Sequence, residues 1–215
     1  MASTPKSTDT GLAHDRVYRT LRNQVMFGEL PPGKPLTLRG IGQMFDVSMT
    51  PAREAVRRLV AEGAFTLSAS GRVSTPEIGI DRIEELASIR ALLEGELARR
   101  ALPRAHPALI DRLRLINSTV DEMIAKQDAS GYIRSNLEFH RTLYLRAQAP
   151  AMLAMVETVW LQLGPTMRQL YSKMRFSGRL GHHRAILKAL SDGDEQALQS
   201  AIGNDVTQGL RMLTV

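Results

Sequence analysis

The chain has 215 residues, 43% hydrophobic and 23% charged, a balance that folds into a packed core and excludes a disordered chain. It has no cysteine, which excludes a disulfide framework, a thiolate zinc site and a cysteine nucleophile and fits a reducing compartment. The net charge of +6 is spread evenly, 10 Lys+Arg against 7 Asp+Glu over residues 1–78 and 18 against 15 over 79–215, so total charge alone does not decide for nucleic acid.

Residues 1–10 are polar and lack the apolar run of a secretory signal, and they are expected to form a disordered tail. No stretch approaches the roughly 18 uncharged apolar residues of a membrane span, so a cytoplasmic protein with no membrane partner is expected. Val17, Leu21 and Val25 mark a first helix over about residues 12–28, closed by Gly28 and the turn Pro31-Pro32-Gly33. A short helix follows over Leu38–Phe45, then the tight connection Asp46-Val47-Ser48. A stronger helix runs to Glu62 with Gly63 as its stop, Ser48 or Thr50 as its N-cap and Pro51 in its first turn.

Phe65–Ser68 and Arg72–Thr75 read as two short strands around a hairpin tip, Ala69-Ser70-Gly71, and residues 77–80 as a linker. From Asp81 onward the pattern is helical throughout: Asp81–Leu102, Pro107–Gln127, Gly131–Gln148, Met152–Met174, Leu180–Ser191 and Asp194–Leu213. Gly164-Pro165 is expected to kink or break the fourth of these. The fold class is mainly α: a winged helix-turn-helix with a small β-hairpin wing over residues 11–78, then an all-α helical bundle over 79–215.

The third helix carries the most information. Ala52, Ala55, Val56, Leu59 and Val60 form one apolar face, and Arg53, Glu54, Arg57 and Arg58 lie opposite. Arginines on the exposed side of a helix directly after the turn suit a duplex, the N-terminal one for a guanine edge and the others for phosphates. Arg72 at the wing would lie in or beside a minor groove. A solvated face with a Glu54–Arg58 pair is the bland alternative.

The segment from Gly28 to Phe65, with its Pro31-Pro32-Gly33, Val47-Ser48-Met49-Thr50-Pro51-Ala52-Arg53-Glu54-Ala55 and Glu62-Gly63, resembles the N-terminal domain of the GntR family of bacterial transcription regulators. The helical remainder resembles the FCD domain of its FadR-type branch, and together the likeness covers about residues 12–213. The resemblance implies a homodimer on a double-stranded DNA operator. By the resemblance DNA contacts would come from Arg39, Ser48, Thr50, Arg53 and Gly71; the helix face and the wing add Arg57 and Arg72, and Met49 stands at a further contact position. The family usually has Arg where this chain has Met49, and that Arg commonly reads a guanine. Met49 cannot make a bidentate hydrogen bond, so the operator should differ or another Arg must substitute.

In the helical region Asn136 and His140 share a helix face, His183 lies on a later helix and Asp205 on the last, so three helices can converge on one cavity. The family pattern Asp, His, His, His reads here as Asn136, His140, His183 and Asp205. Two imidazoles, a carboxylate and an amide oxygen suit Zn²⁺, Ni²⁺ or Mn²⁺. His182 lies about 100° from His183 around a helix and is placed outside this set. Without metal, the same residues are polar groups of an effector pocket. The resemblance implies a small organic acid effector with Arg90 lining its pocket; Asn136, His140 and His183 are the further effector residues, with Arg134 and Arg141 as additional candidates. For Arg90 a surface salt bridge with Glu94 weighs equally. No catalytic residue is assigned. The expected function is a metabolite-controlled, sequence-specific transcription regulator. The alternatives are a metal-dependent enzyme using the histidine site and a DNA-binding module whose helical domain only dimerises.

Overall fold

The computed structural model describes residues 7–68, 71–177 and 183–211. Helix α1, Ser7–Met26, begins within the segment expected to be a disordered tail, several residues before the expected start. Helix α2, Leu38–Phe45, has the bounds that the sequence suggests, capped by Thr37, whose Oγ1 accepts from Gly40 N at 3.0 Å. Asp46 turns the chain at φ 51°, and α3, Met49–Ala61, follows. Ala52, Ala55, Val56 and Leu59 are buried as expected and Val60 half so. They pack on Val17, Leu21 and Val25 of α1, with Ile41 and Phe65 completing the small core. Ser48 occupies the N-cap place of α3, but its side chain makes no capping hydrogen bond.

The wing is smaller than the sequence suggests: β2 is Thr66–Leu67 and β3 is Val73–Ser74. A third strand, β1 at Pro35–Leu36, pairs antiparallel with β3, and the sheet order is β1-β3-β2. Two residues beginning with proline carry no period that a sequence reader can detect, and an edge strand tolerates the missing N–H. Thr75 ties the base of the wing, accepting from Lys34 N at 2.9 Å and donating to Pro31 O at 2.6 Å.

The rest is helical among the described residues: α4 Ile80–Ala101, α5 Pro107–Ala125, α6 Ala129–Tyr144, α7 Pro150–Ser177, α8 His183–Asp192 and α9 Glu195–Arg211. Helix α4 packs along α9, and α5 along α6. No described helix is long and apolar enough to cross a membrane. Helix α7 is one helix with Pro165 inside it, so Gly164-Pro165 does not break it, the second of its two expected effects. The residue before it is Gly164, which lacks the Cβ that normally clashes with a following proline ring. The same glycine lets α7 touch the backbone of α1, since a Cβ there would lie 2.1 Å from Val25 O.

Arg22 bridges the two units further, 3.1 Å from Glu62 and 3.9 Å from Glu157, as does Arg134, 3.2 Å from Glu29.

Candidate nucleic-acid interface and buried polar centre

On the winged unit the expected contact residues fall on exposed surface. Arg39 is on α2, Ser48, Met49, Thr50, Arg53 and Arg57 on the start and outer face of α3, and Gly71 and Arg72 on the wing. Ala69 and Ser70, the expected tip, lie outside the described residues. Among the described residues Arg39, Arg53 and Arg72 have no carboxylate partner. Arg57 is 3.4 Å from Glu54, but both are well exposed, so that pair holds little. Arg58 differs. It lies 3.7 Å over the Tyr18 ring and 3.2 Å from Asp15, and so fastens α3 to α1. The expected Glu54–Arg58 pair is replaced by these contacts. Three exposed cations on adjacent elements, without a carboxylate partner among the described residues, leave a local positive field that phosphates neutralise.

The helical unit holds a buried polar centre. His140 on α6, His183 on α8 and Asp205 on α9 offer ligand atoms that all lie within 4.8 Å of one another. His140 is fully buried, with Nε2 2.9 Å from Asp205 Oδ2 but without the angle of a hydrogen bond. Its Nδ1 lies 3.0 Å from the Tyr144 hydroxyl, and Tyr144 donates its single proton to Glu94 Oε2 at 2.9 Å. At His140 the hydroxyl therefore accepts, which places an imidazole proton on Nδ1 and leaves Nε2 facing Asp205. At 2.9 Å from a carboxylate oxygen, Nε2 needs a proton or a cation between the two atoms. The donor set thus fits a divalent metal. His183 stacks on Phe139 at 3.8 Å, and its Nδ1 lies 3.0 Å from Asn117 Oδ1. Asn136, one turn before His140, is half-buried on the same helix face. His182 lies outside the described residues.

Burial alone would raise the Asp205 carboxyl. The close approach of His140, with His183 and Arg90 nearby, outweighs it and holds the group below the usual carboxylate range. Burial and the neighbouring Glu94 push the Tyr144 phenol well up, so it stays neutral and able to donate.

Arg90 is paired with Glu94 at 2.6 Å, as one of its two expected readings had it, but the pair is buried rather than on the surface. Glu94, with no exposure, accepts from Arg90, Tyr144 and Trp160, the last at 2.9 Å. Arg134 and Arg141 do not join this centre. They line a cleft of about 330 Å³ between α1, α6 and α7, with Arg22, Phe27, Glu157 and Trp160 among its walls. The reason is helical phase: each lies roughly 100° or more around α6 from Asn136 and His140. Tyr144 had a legible signal, at the fourth residue after His140. Glu94 as its acceptor, Trp160 as a further donor to Glu94 and Asn117 as the partner of His183 had none, because their meeting depends on how separate helices pack.

Residues 13–72 match the gntR family of bacterial regulatory proteins and residues 85–207 match the FCD domain. The HTH-type transcriptional regulator McbR of Escherichia coli is 25% identical over 201 residues, 92% of this chain and 91% of its own. The gluconate operon transcriptional repressor of Bacillus subtilis is 27% identical over 191 residues, 83% and 76% of the two chains. The solved structure of Escherichia coli McbR/YncC superposes with a TM-score of 0.86 at 24% identity, covering 100% of this chain and 98% of that one. A GntR regulator structure from Rhodococcus sp. RHA1 gives 0.79 at 22%, covering 94% and 98%.

Proposed function

The chain belongs to the GntR family, with an FCD domain after its winged helix-turn-helix, and is therefore a DNA-binding transcription regulator controlled through a metabolite-binding domain; from this premise we propose which residues read the operator, which bind the effector and how the two communicate. Arg39, Ser48, Met49, Thr50, Arg53, Arg57, Gly71 and Arg72 meet an operator duplex as a homodimer. Arg53 addresses a base edge from the first turns of α3, and Arg39, Arg57 and Arg72 address phosphates or the minor groove. Operator binding places the protein in the cytoplasm.

The effector is a small organic acid, bound at the polar centre by Arg90, His140 and His183, with Asn136 beside them. The observation that carries this is the convergence of His140, His183 and Asp205, with His140 Nε2 2.9 Å from Asp205 Oδ2, beside a buried guanidinium. A centre of that kind takes a cation and, through it or through Arg90, a carboxylate. His140, His183 and Asp205, with Asn136, would hold Zn²⁺, Ni²⁺ or Mn²⁺, which supplies a Lewis-acidic point for an acidic ligand. That a relative regulates a gluconate operon supports an acid as the class.

Communication runs through Glu94. An acid that draws Arg90 away from Glu94 also loosens Tyr144 and Trp160, and Trp160 forms part of the cleft against α1. The ligand acts only if it binds one placement of the winged unit better than the other. The test is thermal unfolding with each metal and with a panel of sugar acids and dicarboxylates. A stabilised wild type and an unresponsive His140→Ala/His183→Ala variant are expected, since a ligand of the native state must raise its stability. An equal rise in both places the ligand elsewhere.

A further inference from the structure

Met49 is 47% exposed at the first position of α3, flanked by the exposed hydroxyl residues Ser48 and Thr50. It has no place in the core, because the buried stripe of α3 begins with Pro51 and Ala52. One turn further along the helix is Arg53, so Met49 and Arg53 lie on the same face, and Arg57 extends that row by another turn. A large apolar side chain therefore heads a row whose next member is a cation without a carboxylate partner. Lone exposed hydrophobic residues are ordinary on protein surfaces, but this one stands at the head of the helix that enters the groove.

We propose that Met49 is a specificity-determining residue that reads the C5-methyl group of a thymine in the major groove. This rests on the DNA-binding reading of α3. The major-groove edges of the base pairs carry hydrogen-bond donors and acceptors in every combination, and thymine alone among the unmodified bases adds a methyl group. The thioether side chain has no donor and only a weak acceptor, so it gains nothing from a guanine or adenine edge. It is unbranched, flexible and polarisable, and it adapts to a small apolar knob. Arg53, on the same face, contributes the hydrogen bonds to a neighbouring base, so the site couples a methyl contact with an arginine contact about one step away. 5-Methylcytosine carries the same group, and the two sources are separated by using DNA synthesised only from unmodified nucleotides.

The test begins with selection of binding sites from a random duplex pool by the full-length protein. Each thymine of the enriched site is then replaced singly by deoxyuridine, which removes only the methyl group. For wild type, at least one replacement should weaken binding about three- to fivefold, the scale of burying one methyl group. Met49→Ala should bind the unmodified site with a similar loss and be indifferent to uracil at that same position. Met49 is exposed, so the variant keeps its fold, which circular dichroism checks. Met49→Arg should shift the selected base at that position from thymine to guanine. If uracil replacement affects wild type and Met49→Ala alike at every position, the proposal is overturned while sequence-specific binding stands. If the pool yields no enriched sequence, the DNA-binding reading falls and the proposal with it.

Discussion

Arg53 and Arg58 lie five residues apart on α3, and their surroundings assign them different work. Arg58 is held by Asp15 and by the face of Tyr18, so it is part of the joint between α1 and α3. Arg53 has no such partner, and its replacement by Ala should weaken operator binding by about 1–3 kcal/mol with little change in stability. Fluorescence anisotropy on a selected site, together with a urea melt, separates the two effects; unchanged affinity would remove Arg53 from the interface. Glu94 is the converse case. It is wholly buried and accepts from three groups, so Glu94→Ala leaves the Arg90 guanidinium buried and unpaired. A loss of about 3–5 kcal/mol is expected in urea unfolding, and a loss under 1 kcal/mol would show that the pair contributes little. At this scale the sequence was informative for His140, His183 and Asp205, whose helices were recognisable, and for Arg90 as a partner of Glu94. It was silent on burial: the same i,i+4 spacing serves a surface pair or a buried one, and only the packing of α6, α7 and α9 around α4 decides between them.

Among the elements, α2 and α3 were legible because their apolar stripes, turn and stop residues agree with one another. The start of α1 and strand β1 were not, since polar helical turns and a two-residue edge strand carry almost no periodicity. Helix α7 shows a local rule overridden by packing. Proline disfavours a helix interior, yet α7 passes through Pro165, with Gly164 set against the backbone of α1. Gly164→Ala adds a Cβ that would meet Val25 O and the Met26 Cα, so one helix must shift. A destabilisation of about 1–3 kcal/mol is expected from such overpacking. Equal melting curves for variant and wild type would show that α1 and α7 separate freely.

Across the whole molecule, the two units meet where Arg22 reaches Glu157, Arg134 reaches Glu29, and α7 touches the end of α1. Trp160 connects that boundary with the buried centre, because its Nε1 donates to Glu94 while the residue forms part of the cleft beside α1. Trp160→Phe removes the hydrogen bond and keeps most of the volume, so it should preserve DNA binding and the thermal response to ligand while reducing the effect of ligand on DNA binding. An undiminished effect would take Trp160 out of the pathway. The two-unit architecture was readable from the change at about residue 78 from short mixed elements to helices alone. The contacts between the units were not, because they join single residues far apart in the chain. The most direct test of the central claim is operator affinity at fixed salt, measured by anisotropy with and without the metal and acid that most stabilise the protein. A change of at least about fivefold in wild type, the lower end of common coupling energies, and none in His140→Ala/His183→Ala, is predicted. A ligand that stabilises the wild type yet leaves its operator affinity unchanged would contradict it.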